Sequence, residues 1–480
     1  MKCGRFCYNH EKNRKCPEGE SGIMRLKAAL HNLGCKVNEY EIEEMASALA
    51  EGGFEIVPFE PGADLYVINT CTVTNIADRK SRQMLHKARK MNPNAIVAAC
   101  GCYVDVRKEE LKTDPAIDLV LTNEEKKHIA QAVLPYFRGQ LTEEPDAQLG
   151  HTHTRAFIKI QDGCNQFCSY CIIPYARGPV VSRPEEEILR EIRQKAEDGF
   201  REVVLTGIHI SSYGHDAETG GKRIAWRPKE GQMPPLFSLI EKIHAIPGIE
   251  RIRLGSLEPR IMSEAFTEGL AALPKICPQF HLSLQSGCDE TLRRMNRHYT
   301  AEEYAAICGR IRRYFPDAAL TTDIIVGFPG ETEEEFEETA RFARSVEFAK
   351  MHIFRYSKRE GTPAAMRTDQ VPEPVKVSRS EVLLRLNGEM EKAYAARFQG
   401  RPVSVLFEEE RVTDGVKMWM GHTKEYIEVR CRTEQLIPSN ENERCSAESP
   451  ENRIIPCMLT EIRDGYVLGC PAMEEEQNGN

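Results

Sequence analysis

Gly163-Cys164-Asn165-Gln166-Phe167-Cys168-Ser169-Tyr170-Cys171 places three thiols at C-x3-C-x2-C spacing in one short loop. A [4Fe-4S] cube is normally held by four thiolates, so a loop that offers three leaves one iron open to a small molecule. The rival reading is a structural zinc knuckle, which needs a fourth Cys or His to close a tetrahedral site. His151 and His153 are the candidates, but an apolar stretch that reads as a strand, 156–160, stands between them and the loop.

The chain around this loop is 480 residues long, and length alone suggests about three domains. Hydrophobic residues at 41% and charged residues at 29% are the composition of a soluble globular protein. No apolar run approaches the roughly 18 residues of a membrane span. The polar start, 1–22, lacks the apolar segment of a signal peptide. The expectation is a cytoplasmic protein with no membrane partner. Seventeen Cys without an export signal favour metal binding or catalysis in a reducing compartment over disulfides. A net charge of -9 gives no global attraction for nucleic acid, so any RNA contact must come from local patches or from shape. The run 79–90 is one such patch, with six Lys or Arg and no acid, although a merely solvated helix face is the plain alternative.

Residues 1–23 hold Cys3, Cys7 and Cys16 in polar surroundings and read as an extension, either disordered or an upstream-start artefact ahead of Met24. A second metal site there is the rival reading. From 24 to 137, short apolar runs (26–30, 65–69, 95–99, 119–121) alternate with helical patterns (39–50, 76–91, 107–112, 126–134). That alternation builds a parallel sheet covered on both faces. Cys35, Cys71 and Cys102 fall just past three of the strands, where ligands of open α/β sheets gather. Singly, each is more simply a buried small hydrophobe. All three at strand ends argue for one site.

Residues 138–150 read as a linker. In 151–399 six candidate strands (156–160, 202–205, 251–254, 280–284, 320–326, 350–354) with helices between them indicate an open (β/α)6 partial barrel, with its active site at the C-terminal strand ends. The glycine and polar motifs fall there. Thr206, Gly207, Ser256, Gln285 and Gly327, with Tyr170 in the thiol loop, are the candidate contacts for a nucleoside-bearing cofactor. The stretch 214–235 reads as a surface loop, and 372–398 as a helix leading out. From 400 to 470, short alternating runs, among them 425–429, suggest a small all-β barrel. Residues 471–480 are an acidic tail.

Taken with the cysteines, His281-Leu282-Ser283-Leu284-Gln285-Ser286-Gly287, Arg294-Met295-Asn296-Arg297, Thr322-Asp323-Ile324-Ile325-Val326-Gly327-Phe328-Pro329-Gly330-Glu331 and Tyr356-Ser357-Lys358 resemble the radical S-adenosylmethionine (SAM) methylthiotransferases over 24–469. The resemblance implies an N-terminal methylthiotransferase domain, a radical SAM domain and a C-terminal RNA-binding β-barrel called TRAM. It implies that Cys164, Cys168 and Cys171 hold the SAM-binding cluster, and that Cys35, Cys71 and Cys102 hold a second [4Fe-4S] cluster. It further implies SAM both as methyl donor and as radical source, with flavodoxin or ferredoxin as electron donor.

Cys35-Lys36-Val37-Asn38 and Thr206-Gly207-Ile208-His209 look like the bacterial branch acting on N6-threonylcarbamoyladenosine at tRNA position 37. Alternatives are isopentenyladenosine in tRNA, a ribosomal protein, or a non-catalytic metal-cluster RNA-binding protein. Departures from the family pattern are Val104-Asp105 after the third N-terminal Cys, Cys288 after Gly287, and Cys100 as a thiol competing with Cys102. The stretch 400–470 holds nine Lys or Arg against thirteen Asp or Glu, a net of -4, where phosphate contact favours cations. Arg79, Lys80, Arg82 and Lys87, with Arg293, Arg294 and Arg297, are therefore the expected RNA contacts. The C-terminal barrel is expected to hold substrate and to be removable without loss of SAM cleavage.

Overall fold

The computed structural model describes residues 25–137, 154–229, 231–437 and 449–472. The expectations for 1–23 and the linker 138–150, and most of that for 471–480, lie outside the described residues, as do Cys3, Cys7 and Cys16. The described chain forms two compact units. One holds the residues up to 137 together with Tyr170–Pro179 and Ser357–Ala365, and the other holds the remainder.

The first unit is built on a five-stranded, all-parallel sheet in the order Glu55–Val57, Lys27–Asn32, Leu65–Thr70, Ile96–Gly101, Leu119–Leu121. Leu65–Thr70 is buried along its whole length, as befits a central strand with helices on both faces. The edge strand Glu55–Val57 escaped the sequence reading because three residues show no period. Helix Asn75–Met91 starts at Thr74, whose hydroxyl accepts from the Ala77 N–H at 3.1 Å. Ser81, Leu85 and Ala88 turn inward at helical spacing. Two helices begin earlier than their apolar periods suggest. Lys36–Glu51 starts directly after Cys35, and Cys102–Lys112 starts at Cys102 with non-helical backbone at Arg107, where the sequence reading placed its start. The helix expected over 126–134 is three short pieces, Glu125–His128, Ile129–Val133 and Leu134–Tyr136.

The second unit carries six parallel strands in two ladders, Arg155–Asp162, Glu202–Gly207, Arg251–Leu254 and then Gln279–His281, Ala319–Val326, Lys350–Arg355. Isolated parallel bridges Ile252–Ile276 and Leu257–Leu282 join the ladders. Among the described residues no pairing returns from Lys350–Arg355 to Arg155–Asp162, so the barrel is open as expected. The strand expected over 280–284 stops at His281. Beyond it the Ser283 carbonyl is taken by Arg297 Nη2 at 2.8 Å and the Leu284 carbonyl by the Tyr299 hydroxyl at 2.8 Å. Thr300 with Glu303, and Thr332 with Glu335, form capping boxes that start the helices Ala301–Tyr314 and Glu333–Val346.

Helix Glu373–Ala396 leads to a closed five-stranded barrel in the order Pro402–Thr413, Val416–Thr423, Glu428–Arg432, Tyr466–Pro471, Ile454–Arg463. Residues 425–427, expected in a strand, form a turn with Tyr426 at φ 70°. This barrel seats on arginines at or near the N-terminal ends of the open barrel's strands. Arg251 donates to the carbonyls of His422 (3.0 Å) and Ser404 (2.8 Å), Arg253 to that of Lys424 (2.9 Å), and Arg155 to the Tyr426 hydroxyl (2.9 Å). Among the described residues no helix is long and apolar enough to cross a membrane.

Candidate functional site

In the first unit, the strands Lys27–Asn32, Leu65–Thr70 and Ile96–Gly101 are neighbours whose ends align, Asn32 opposite Asn69 and Thr70 opposite Gly101. Their continuations carry Cys35, Cys71 and Cys102, the last two buried at 5% and 4% exposure. Gly101 makes the close approach possible. Its φ is +94°, and a Cβ there would lie 2.5 Å from the Thr70 carbonyl oxygen. The competing thiol, Cys100, lies inside the strand Ile96–Gly101, ahead of the Gly101 turn, buried among Ala98, Leu121 and Ile129 with its sulfur 3.8 Å from that of Met45. Burial pushes the Cys71 thiol up to about 12, only partly offset by a backbone N–H and Arg177. Cys35 is exposed, yet desolvation by the chain packed around its sulfur raises its thiol too, with Arg177 opposing. Thiols of this kind ionise when a metal cation takes the place of their protons.

Sequence reasoning missed the polar network beneath these thiols. Arg177 Nε donates to Cys102 Sγ at 3.0 Å, Nη1 to Glu41 Oε1 at 2.8 Å, and Nη2 to Glu41 Oε2 at 3.0 Å and Asn38 Oδ1 at 2.7 Å. Lys126 Nζ completes it, reaching Glu41 Oε2 at 2.7 Å and Asn123 Oδ1 at 2.6 Å. Asp105, one of the sequence departures, accepts from Asn123 Nδ2 at 2.7 Å, and burial lifts its carboxyl to about 6 against the opposing Asn123 N–H. The one signal in the sequence was Arg177 itself, a lone cation before Gly178-Pro179 in the segment leaving the thiol loop.

In the second unit, the thiol loop leaves Arg155–Asp162 through Gly163 at φ +68°. Asn165 Nδ2 and Gln166 Nε2 donate to the carbonyls of Ile224 (3.3 Å) and Trp226 (3.0 Å). The stretch 214–235 is therefore more than a surface loop. Trp226 is buried in the barrel core, and its neighbours clamp the loop. On the other side Ser169 N–H and Oγ donate to the carbonyls of Met295 (3.0 Å) and Arg294 (2.8 Å), and Asn296 Nδ2 to that of Phe167 (3.0 Å). Arg297 Nη1 lies 3.4 Å from Cys168 Sγ. Burial pushes the Cys164 thiol up to about 12, with Arg297 opposing. Tyr170 and Cys171 follow in the segment that clusters with the first unit.

Thr206 and Gly207 end the strand Glu202–Gly207, Thr206 buried and Gly207 half-buried. Ser256, exposed, follows Arg251–Leu254. Gln285, at φ +76°, exchanges backbone hydrogen bonds with Asp323 and Ile325. Gly327, at φ +69°, donates its N–H to Glu331 Oε2 at 2.6 Å, and a Cβ there would meet the Lys376 side chain at 2.3 Å. Beside Gly207, burial and the cations Arg297 and Arg260 lower His209 to about 3, so its ring is neutral. Its Nδ1 sits 2.5 Å from Ser212 Oγ, while its Nε2 is buried with no partner among the described residues. An orphaned imidazole nitrogen near these strand ends suits a polar cofactor such as SAM.

The expected RNA contacts divide. Arg79, Lys80, Arg82 and Lys87 are all exposed on Asn75–Met91, although Arg82 also donates to the Tyr103 hydroxyl at 2.7 Å. Arg293, exposed, pairs with Glu290. Arg294, 11% exposed, is taken up by Glu335, and Arg297 by the Ser283 carbonyl and the Tyr299 hydroxyl. These two hold the thiol loop's support and offer little to a phosphate.

The family profile described as "Radical SAM superfamily" matches residues 158–343, which contain Cys164, Cys168 and Cys171. That described as "Uncharacterized protein family UPF0004" matches residues 27–122, which contain Cys35, Cys71 and Cys102. Threonylcarbamoyladenosine tRNA methylthiotransferase MtaB of Bacillus subtilis (strain 168) is 38% identical, over 85% of this chain and 91% of that protein. The protein of the same name from Aquifex aeolicus (strain VF5) is 37% identical over 80% and 93%. The tRNA-2-methylthio-N(6)-dimethylallyladenosine synthase of Acetivibrio thermocellus is 35% identical over 85% of each chain. Among solved structures, the radical S-adenosylmethionine methyltransferase TsrM from Kitasatospora setae matches with a TM-score of 0.50 at 17% identity, over 72% of this chain and 77% of that one, a likeness of fold alone. With both thiol sets inside matched regions and relatives above 30% identity spanning most of both chains, this chain belongs to the radical SAM methylthiotransferase family.

Proposed function

We propose that the protein methylthiolates C2 of N6-threonylcarbamoyladenosine at position 37 of tRNA, giving the 2-methylthio nucleoside, in the cytoplasm and with a flavodoxin or ferredoxin as electron donor. The observation that carries the substrate is the 38% identity with the Bacillus subtilis threonylcarbamoyladenosine enzyme over 91% of its length. Cys164, Cys168 and Cys171 would hold the cluster that binds SAM, and Cys35, Cys71 and Cys102 the second [4Fe-4S] cluster. Three thiolates in each set leave an iron without a protein ligand. With its cofactors bound, the site supplies one-electron cleavage of SAM and so a carbon radical, the reagent that an unactivated aromatic C2–H requires, together with a SAM-derived methyl group for sulfur.

The chain's own residues hold and shield. Asn165 and Gln166 fix the loop to 224–226, and Ser169 fixes it to 294–295. Arg297 places a cation beside the Cys168 sulfur. Neutral His209 keeps an acceptor or donor free beside Gly207 without adding charge. Buried Trp226 closes the loop's flank to water.

A second reading, dimethylallyladenosine as the base, is favoured by the 35% identity with the Acetivibrio thermocellus enzyme. Expression in a strain lacking all methylthiotransferases, followed by mass spectrometry of tRNA nucleosides, separates the two. The methylthio form of threonylcarbamoyladenosine is expected. Methylthio-dimethylallyladenosine alone would overturn the substrate assignment, and neither product would overturn both readings.

A further inference from the structure

We infer that Arg177 is a positioning residue for the second cluster, its buried guanidinium donating to the Cys102 sulfur and holding the cluster's reduction potential above that of a site without it. The inference rests on the proposal that Cys35, Cys71 and Cys102 hold that cluster.

The guanidinium is wholly buried, at 0% side-chain exposure, and it cannot turn away. Glu41 takes it in a two-point grip at 2.8 and 3.0 Å, and Asn38 Oδ1 takes the remaining edge at 2.7 Å, leaving Nε directed at Cys102 Sγ at 3.0 Å. Asn38 is itself tied to the chain beside the other two thiols. Its Nδ2 donates to the carbonyls of Leu33 (2.8 Å) and Thr70 (3.1 Å), and its Oδ1 lies 3.9 Å from Cys35 Sγ. One fixed cation is thus referenced to the backbone ahead of Cys35 and Cys71 and to the sulfur of Cys102.

The charges of the network are arranged to keep that cation in place. Lys126 and Arg177 are balanced by Glu41 and, through Asn123, by Asp105, so the guanidinium on the Cys102 sulfur is the cationic group nearest the thiols. A [4Fe-4S] core on three thiolates is a monoanion when oxidised and a dianion when reduced. A buried cation and an N–H···S hydrogen bond both favour the more anionic, reduced form, and net charge and hydrogen bonds to sulfur are among the terms that set such potentials. A guanidinium present only to satisfy Glu41 would not need its Nε on a sulfur, since Lys126 already pairs with that carboxylate at 2.7 Å.

The test uses the full-length chain with Cys164 and Cys168 replaced by Ala, so that only the second cluster is read and the segment Tyr170–Pro179 is untouched. Its midpoint is followed by EPR in a redox titration, with iron and sulfide analysis alongside. Arg177→Gln is expected to lower the reduced-to-oxidised ratio at fixed potential at least tenfold, which is about 59 mV for one electron. Arg177→Lys, which keeps the charge and loses the fork, falls between. Glu41→Gln removes the balancing anion and moves the ratio in the opposite direction. A ratio within twofold of the parent in Arg177→Gln at unchanged iron content overturns the inference. Should Arg177→Gln not assemble a cluster, an unmoved or lowered ratio in Glu41→Gln overturns it. A parent protein that assembles no cluster overturns the ligand assignment instead.

Discussion

Replacing Glu202 by Gln tests how the C-terminal barrel is held. Glu202 is fully buried. Its Oε1 accepts from Arg253 Nε at 2.7 Å, its Oε2 from Arg253 Nη2 at 3.3 Å, and Arg251 Nη1 lies 3.6 Å away. Burial alone would raise its pKa, yet Arg253, Arg155 and Arg251 hold it down at about 2 from an ordinary 4.5. At about 1.4 kcal/mol per unit, this depression is worth about 3 kcal/mol of stability. The cost of removing one partner of a buried ion pair, about 3 to 5 kcal/mol, agrees. Because the folded pKa is depressed, that stability is fully present above pH 4.5 and is lost as pH falls through about 2. The difference between wild type and Glu202→Gln is therefore expected to be the same at pH 7 and pH 5.5. At roughly 2 °C per kcal/mol for a unit of this size, the variant should unfold about 6 °C lower by calorimetry. A shift under about 1 °C, or one that disappears between pH 7 and pH 5.5, would refute the reasoning, since neither outcome fits two guanidinium groups left buried without an anion.

Two further outcomes follow. Replacing Cys164, Cys168 and Cys171 together by Ala should leave one cluster and abolish 5'-deoxyadenosine formation, whereas replacing Cys35, Cys71 and Cys102 should leave one cluster with reductive SAM cleavage retained and no methylthiolated product. Unchanged iron content in the second variant would show those thiols to be ordinary side chains and not cluster ligands. Replacing the exposed Arg79, Lys80 and Lys87 by Ala should reduce the slope of log tRNA affinity against log salt by about 2, at roughly 0.7 to 0.9 per phosphate contact, and an unchanged slope would remove that helix from the binding surface.

The parts of the fold legible in the sequence were those whose signal is local. Strand and helix periods gave the parallel sheet, the open barrel and the C-terminal barrel, and the cysteines could be assigned to strand ends because apolar runs such as 65–69 and 95–99 stop just short of them. Helix starts were misjudged where the first turn departs from the apolar period of the rest of the helix, as at Cys35-Lys36 and Cys102-Tyr103. What the sequence hid was pairing at long range. Nothing near Arg177 announces that its partners are 75 and 136 residues away, at Cys102 and Glu41. The run Arg293, Arg294, Arg297 read as a basic patch because composition cannot see Glu335 or the Ser283 carbonyl, which take up two of its three arginines. Trp226 read as loop because its surroundings are polar, although its ring packs near His209 with centroids 5.9 Å apart.

The same long-range pairing accounts for the acidic C-terminal barrel. Among the described residues, Arg411 pairs with Glu409, Lys417 with Glu410, Arg430 with Glu428 and Arg463 with Glu461 inside the barrel, so these four cations are already matched. Part of its acidity is turned to the open barrel, where Glu408 receives Arg155 at 3.2 Å and His422 at 2.6 Å. Arg251 and Arg253 end on its carbonyls. The barrel thus neutralises Arg155 and covers Arg251 and Arg253, which Glu202 already pairs, and exposed single pairs of the first kind add little stability beside this buried group. Removing residues after Gln399, which the sequence suggested would separate tRNA binding from SAM cleavage, would strip Arg155 of Glu408 and the Tyr426 hydroxyl and Arg251 of two carbonyl acceptors, and unsettle the strand that leads into the thiol loop. The two activities are therefore better separated by surface charge than by truncation. Lys80, Lys87 and Lys90 are exposed on Asn75–Met91 and take part in no ion pair among the described residues, which makes this helix the place to test for a phosphate contact by charge substitution.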